Sequence, residues 1–554
     1  MGEPTMRQSL STLTLLAVLV AAAGCDAPAT REATDAPPLF EDFGSLHRDI
    51  GTDVDAAQRY FDQGLRMTYG FNHEAAGRAF AEAARLDPAC AMCAWGQALV
   101  LGPNINMPMD PAQAAEAKRL ADAALALKPH ATDADRALID ALATRYADPA
   151  PEDRASLDRA YADAMADAYR RFPADDDIAT LYGEALMDLS PWAYWEAGGA
   201  PGANTTAILD AFEAVLARNP AHIGAAHYYI HAVEASPDPA RAERHADRLA
   251  TLAPGSGHLV HMPAHVYIRV GRYHDATLSN FAATSADEAF LSVCRGSNGV
   301  YPLGYVPHNW HFATLTAGLH GSSTLALQAA AQTARRADPS QLDAMNFMQQ
   351  FVVAPLMTQV RFGRWDDILA TSAAPAEAPY PTAIWHFARG MARVRTGALE
   401  EARIELEALR AIAADPAMAA LVLWDINGAD RVLAVAEAML RGELALAAGD
   451  RDVGIAALRE AAAVEDGLNY NEPADWPLPV RPYLGAALLD AGRATDAAAV
   501  YREDLVAYPE NGWSLRGLAL AEQARGDAAA AAAAQRRFDT AWQWADVDLV
   551  ASRF

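Results

Sequence analysis

An all-α fold of stacked helical hairpins is predicted by three observations. From about residue 55 onward, strand-like alternation is nearly absent, and alanine-rich segments of helical periodicity follow one another. Small residues, an aromatic or apolar residue and a proline recur in fixed order, as in Gly64, Ala76, Phe80, Ala83 and Pro88. In the clearest stretches, 223–256 with 257–290 and 478–511 with 512–545, the interval is about 34 residues without a gap. The small residues let two helices approach closely, and the proline ends the second. A single hairpin cannot bury its apolar face alone, so neighbours must stack into a continuous core.

The first unit, 57–90, carries the pattern in full. The second has Gly96, then an insertion with Asn104, Asn106, Met107 and Met109, and resumes at Ala117, Ala121, Ala124 and Pro129. A degenerate third ends at Ala168 and Pro173. The fourth has Gly183, Phe212 and Pro220, with Val215 where alanine is usual and an insertion from Pro191 to Gly202. The fifth has Ala242, Ala246 and Pro254, and the sixth Ala264, Gly271, Ala276 and Ala283. A seventh begins near Pro307, after a loop containing Cys294 and Gly304. Further turns fall at 361–365, Gly397, Gly449, Gly485 and Gly526, for roughly seven to twelve repeats. This order of residues resembles the tetratricopeptide repeat, which implies a right-handed superhelical solenoid. We divide it into an N-terminal array, 51–340, and a C-terminal array, 341–554.

The first residues read as a targeting segment. Arg7 precedes the apolar run Leu15 to Ala23, which is too short to span a bilayer. The run ends Ala22-Ala23-Gly24-Cys25, which resembles a bacterial lipobox. The resemblance implies cleavage before Cys25 and its lipidation, so 1–25 is expected to be a signal peptide and the chain an envelope protein held by its lipid at the inner or outer membrane. Residues 26–50 begin rich in Ala, Pro, Asp and Thr and are expected to form a flexible tether.

Charge narrows the partners. Asp and Glu number 71 against 44 Lys and Arg, a net −27, which argues against nucleic acid and suits attraction of cations. The hydrophobic fraction of 52% is ample for a folded core.

The chemistry concentrates in three successive hairpins. His227, His231 and Glu234 occupy positions 5, 9 and 12 of the unit starting at 223. His258, His261 and His265 occupy positions 2, 5 and 9 of the next, and His308 and His311 positions 2 and 5 of the one after. At 3.6 residues per turn, each set lies within about 60° on its helix. By the tetratricopeptide resemblance these positions line the concave wall. Neutral imidazole binds zinc, copper, iron and nickel, and two histidines one turn apart are a common way to supply it. Glu234 is expected to complete a mixed His/carboxylate set. The wall therefore predicts a transition-metal site or a small polar ligand site. Peptide or protein binding without metal, through polar concave residues, is the other reading.

Two lesser constellations accompany it. Cys90 and Cys93 occupy inward positions of the second repeat, as a soft-metal site with Met107 or Met109, a redox pair, a disulfide, or packing residues with incidental sulfur. Glu184 and Asp188, followed by Trp192 and Trp195, are candidate groove acids or a solvated face. No phosphate loop, nucleophile elbow, HExxH motif or dinucleotide fingerprint is found.

Longer motifs are more specific: HYYIHAVEAS (227–236), HMPAHVYIRVGRY (261–273), YPLGYVPHNWHF (301–312), RFGRWDD (361–367) and EDGLNYNEPADWPLPVR (465–481). With them the mature chain resembles a family of bacterial tetratricopeptide lipoproteins. The resemblance implies the fold and an envelope location, and brings no activity. The expected function is a lipid-anchored protein binding a metal ion or small polar ligand in its groove, with a protein partner. A metalloenzyme activating water or oxygen and a metal-free scaffold are the alternatives.

Overall fold

A computed structural model describes residues 36–196, 198–294, 299–342, 344–372 and 378–554. The proposed signal peptide and Cys25 lie outside the described residues. Pro37–Phe554 forms one compact unit.

The unit is the all-α solenoid expected. Antiparallel helix pairs follow one another, from Asp55–Thr68 with His73–Leu86 to Gly512–Arg525 with Ala528–Ala541. The only strands among the described residues are the pair Val422–Leu423 and Asn427–Gly428. The small residues act as predicted. Phe80, on the second helix of its hairpin, packs against both Gly64 and Gly96, on the first helices of two consecutive hairpins. One aromatic ring thus locks two repeats together.

Two large apolar clusters run along the solenoid, one from Phe43 to Ala329 and one from Val353 to Ala534. The arrays divided at residue 340 are halves of one body rather than separate domains. The winding returns the second half to the first: Trp513 Nε1 donates to the Gly318 carbonyl (2.9 Å), and Asp546 accepts from the amides of Ser323 (2.6 Å) and Thr324 (2.9 Å).

The tether expectation fails over 37–50. Phe43 and Ile50 are buried, and Arg48 is buried within reach of Asp135 (2.7 Å), Asp175 (3.0 Å) and Asp177 (3.2 Å). A guanidinium among three carboxylates holds this segment against the N-terminal ends of helices Asp133–Leu142 and Asp176–Met187. The Ala/Pro/Asp/Thr composition that suggests flexibility stops before these residues. No helix among the described residues is long and apolar enough to cross a membrane.

Candidate metal centre

The histidines come from three first helices of successive hairpins: Ile223–Val233, the pair Gly257–His261 and Pro263–Arg269, and Val306–Leu319. His222 caps the first, its Nδ1 accepting from the Ala225 amide (3.0 Å). Pro263 interrupts the second, yet the Met262 amide still reaches the His258 carbonyl (3.0 Å), so His258, His261 and His265 keep a common face. His227, His231, Glu234, His258, His261 and His265 are all buried, and His308 is partly so.

Hydrogen bonds assign the orientation of four of these rings. His227 Nδ1 donates to the Tyr69 carbonyl (2.7 Å). His261 Nδ1 donates to Asn280 Oδ1 (2.6 Å), whose amide nitrogen is itself committed to the Ala276 carbonyl (2.7 Å). His231 Nδ1 donates to Glu234 Oε1 (2.8 Å), and His265 Nδ1 donates to Glu234 Oε2. With Nδ1 carrying the proton, each Nε2 presents a lone pair. Metal-binding histidines characteristically show this pattern, in which an outer acceptor fixes the tautomer.

Two lone pairs meet: His261 Nε2 lies 2.8 Å from His265 Nε2. His258, whose Nδ1 has no partner, brings its Nε2 to 3.0 Å from the Nε2 lone pair of His227. Two facing lone pairs at 2.8 Å are repulsive unless a cation, a proton or a metal ion, sits between them. His231 Nε2 is buried with no partner. Among the described residues, three groups have donor atoms within 4.8 Å of one another: His227, His231 and His258; His261, His265 and His308; His231, Glu234 and His265. In the third group both carboxylate oxygens already accept from ring N–H groups, which makes Glu234 the shared outer partner of two histidines.

Burial disfavours the charged form of most of these rings. Burial and the neighbouring imidazoles hold His227, His258, His261 and His308 well below the usual histidine value. Burial also lowers His231, against the pull of Glu234. Burial opposes ionisation of Glu234, but His265 and His231 outweigh it and hold the carboxyl well below its usual range. Neutral imidazoles are the form that binds metal.

A cavity of about 270 Å³ opens beside the wall. His231, His258, His265 and His308 face it. Trp192, Tyr305, Phe347 and Trp424 supply aromatic walls, and Asn106, Asn346, Asn471 and Glu472 supply polar ones. Asn471 and Glu472 belong to the 465–481 motif, which is far away in sequence and is brought back by the superhelix. Tyr470 anchors it by donating to Glu234 Oε2 (3.3 Å), and Asp475 accepts from Asn427 (2.8 Å) and Asn471 (3.0 Å). This motif caps the cavity. Burial pushes the Glu472 carboxyl up to about 7.

Backbone strain concentrates here. Of five non-glycine residues with φ near +60° among the described residues, four lie here, Phe71, Trp192, Trp424 and Asp425 at 55°, 63°, 53° and 59°, and Glu510 lies elsewhere. Such values are uncommon outside glycine and are outliers for bulky residues. Phe71 packs on His227 (4.5 Å between ring centres), Trp192 on His231 (5.2 Å) and Trp424 on His308 (5.8 Å).

Other predicted residues stay outside. His311 turns its ring towards Phe351 (5.5 Å between centres) and joins none of the three groups. Cys90 and Cys93 are joined in a disulfide, so neither sulfur is free for metal. Cys294 is a buried free thiol. Met107 lines the His cavity, while Met109 meets Arg154 (2.8 Å). Glu184 and Asp188 surround the buried Arg145, at 3.8 Å and 2.5 Å, in an ion cluster rather than a groove wall. Sequence reasoning missed Asn280, the Tyr69 carbonyl, Phe71 and the Trp424 loop. Only the 465–481 motif carried a signal, as a specific stretch with no role.

No family model and no curated protein matches the chain. Among solved structures it is similar to the Cut9–Hcn1 hetero-tetramer of the APC/C (13% identity, TM-score 0.29, covering 90% of this chain and 95% of that one). It is also similar to yeast Tom70 (10%, TM-score 0.25, 88% and 90%) and to the human IFIT1 dimer with m7Gppp-AAAA (10%, TM-score 0.31, 91% and 92%). Likenesses this distant bring no activity to this chain.

Proposed function

We propose that this chain binds a transition metal through the Nε2 atoms of its histidine wall and takes a small polar ligand into the adjoining cavity. One observation carries the reading. Four buried imidazoles have Nδ1 committed to an outer acceptor, and two of them bring bare Nε2 atoms to 2.8 Å. Zinc, copper, iron and nickel all suit such a donor set. The aromatic and carboxamide lining, with no Lys or Arg among its residues, suits a ring-bearing ligand without negative charge.

The ligand cavity favours an enzyme as the second reading. Histidine donors that leave a coordination position facing an enclosed space suit a metal that activates water or oxygen. Lipidation at Cys25, an envelope location and a protein partner on the solenoid belong to the same proposal, carried by the sequence motifs.

Elemental analysis of the purified chain tests the metal, before and after EDTA treatment and reloading with zinc, copper, iron or nickel. Wild type is expected to hold at least one ion per chain. A His261→Ala/His265→Ala double variant, folded by circular dichroism, should hold less. No uptake by the wild type under any loading overturns the reading.

A further inference from the structure

The two three-histidine groups are the same constellation, one repeat apart. His227 and His231 are positions 5 and 9 of the unit 223–256, and His258 is position 2 of the next. His261 and His265 are positions 5 and 9 of the unit 257–290, and His308 is position 2 of the hairpin that follows. A solenoid that builds a site between one repeat and the next builds it again wherever the residues recur.

We infer that the wall is a two-ion centre: one ion held by His227, His231 and His258, a second by His261, His265 and His308, both facing one cavity. The inference rests on the metal reading above and adds the count and the partition of ligands.

The geometry separates the two positions. Ligands of one ion at about 2.0–2.1 Å from it lie some 3–4 Å from each other. Each triad contains one edge at or just below that spacing, 3.0 Å for His227 with His258 and 2.8 Å for His261 with His265, and the edges share no residue. The rings at the far ends stay within their own sets. His227 packs on His231 (4.9 Å) and His258 (4.8 Å), and His308 packs on His261 (4.8 Å) and His265 (6.0 Å). The sets adjoin through His231 with His265 (5.3 Å) and His258 with His261 (5.8 Å), both closer than His231 with His258 inside the first set (6.1 Å), so the partition rests on the two Nε2 edges and the repeat register.

Two further features join the halves. Glu234 gives one carboxylate oxygen to His231 and the other to His265, so a single negative charge orients one ligand of each ion. The cavity is faced by two histidines of each triad, His231 and His258 of one, His265 and His308 of the other. A small ligand there meets both ions, the arrangement in which two metals clamp one reacting group. The neutral triads leave the positive charge of the ions largely uncompensated, which favours an oxygen-donor ligand such as hydroxide between them.

Cobalt(II) is the probe. The EDTA-treated full chain is titrated with Co(II), followed by visible absorption and elemental analysis. Wild type is expected to saturate at two ions per chain. His227→Ala/His258→Ala and His261→Ala/His265→Ala should each saturate at one. His308→Ala, a change at the partly exposed rim, should weaken one ion at least tenfold and leave the other unchanged; it carries the test if a double variant loses its helical signal. Saturation of the wild type at one ion overturns the two-ion centre and leaves the metal reading standing. No uptake by the wild type overturns both.

Discussion

At the scale of single residues, Glu234 has the widest reach in the wall. Its two oxygens set the tautomers of His231 and His265, which belong to different triads. Glutamine keeps the shape but offers one carbonyl and one N–H₂. The ring that meets the N–H₂ must turn its Nδ1 lone pair outward and carry its proton on Nε2, where it no longer binds metal. Glu234→Gln is therefore expected to fold normally and to bind metal about 10–100-fold more weakly, as for other lost outer partners. Competition with a chelator of known affinity measures this; unchanged affinity would show that the carboxylate does not set the tautomers. The inward direction of five histidines was legible because positions 2, 5 and 9 recur in gapless repeats, and His308 repeats position 2 after a loop insertion. The outer partners were not. Asn280 sits on the following helix, and Tyr69 contributes a carbonyl that has no side-chain signature. The choice between ligand and outer partner for Glu234 was not legible for a related reason. Spacing puts it on the right face but does not say whether it touches the ion or the rings.

At the scale of elements, the hairpin is held by one large ring between small residues. A Cβ on Gly64 would lie 2.7 Å from the Phe80 ring, which is fully buried and has Gly96 on its other side. Alanine in a helix interior gains up to about 1 kcal/mol over glycine. Forcing an extra carbon into a packed core costs about 1–3 kcal/mol. The ring has nowhere to retreat, so overpacking wins and Gly64→Ala is expected to destabilise by about 1–2 kcal/mol. Denaturant unfolding of the metal-free chain reads the difference, and a stabilised variant would show that Phe80 can move. These contacts explain why hairpin order was readable: glycine, alanine and an aromatic at fixed spacing are a local code. The cap over the cavity had no such code. Asn471 and Glu472 reach the wall through the superhelical return of the second half, a consequence of many small rotations between repeats that no short motif contains. The segment 37–50 was misread because composition near it suggested a tether, whereas Arg48 finds its three aspartates only in the folded solenoid.

At the scale of the whole molecule, many titratable groups buried without full compensation oppose one another as pH changes. Burial lowers His73, His245, His311 and His320 to about 4, and the wall histidines His227, His258, His261 and His308 fall well below their usual value. For each, the unfolded chain holds a proton up to about pH 6.5 that the folded chain has released. Stability from these groups therefore rises as pH climbs towards 6.5, from about pH 4 for the first four, and is complete above that. Burial raises Asp475 and Asp504 to about 6, Asp287 and Glu472 to about 7 and Glu465 to about 8. Here the folded chain keeps a proton that the unfolded chain loses above about pH 4, so stability falls as pH climbs to each folded value. Every proton held by one state alone changes stability by about 1.4 kcal/mol per pH unit. Between pH 4.5 and 6.5 the histidines outnumber the carboxyls and stability should rise. Above pH 6.5 the histidine contribution is flat, while Asp287, Glu472 and Glu465 still draw stability down to about pH 8. The EDTA-treated chain should therefore show its highest Tm near pH 6.5, with a steep acid side and a shallow alkaline side in scans from pH 4.5 to 8.5. A Tm still rising at pH 8 would mean that the buried carboxyls are ionised in the fold. A Tm falling steadily from pH 4.5 would mean that the buried histidines are charged, which would remove the neutral lone pairs on which the metal centre depends.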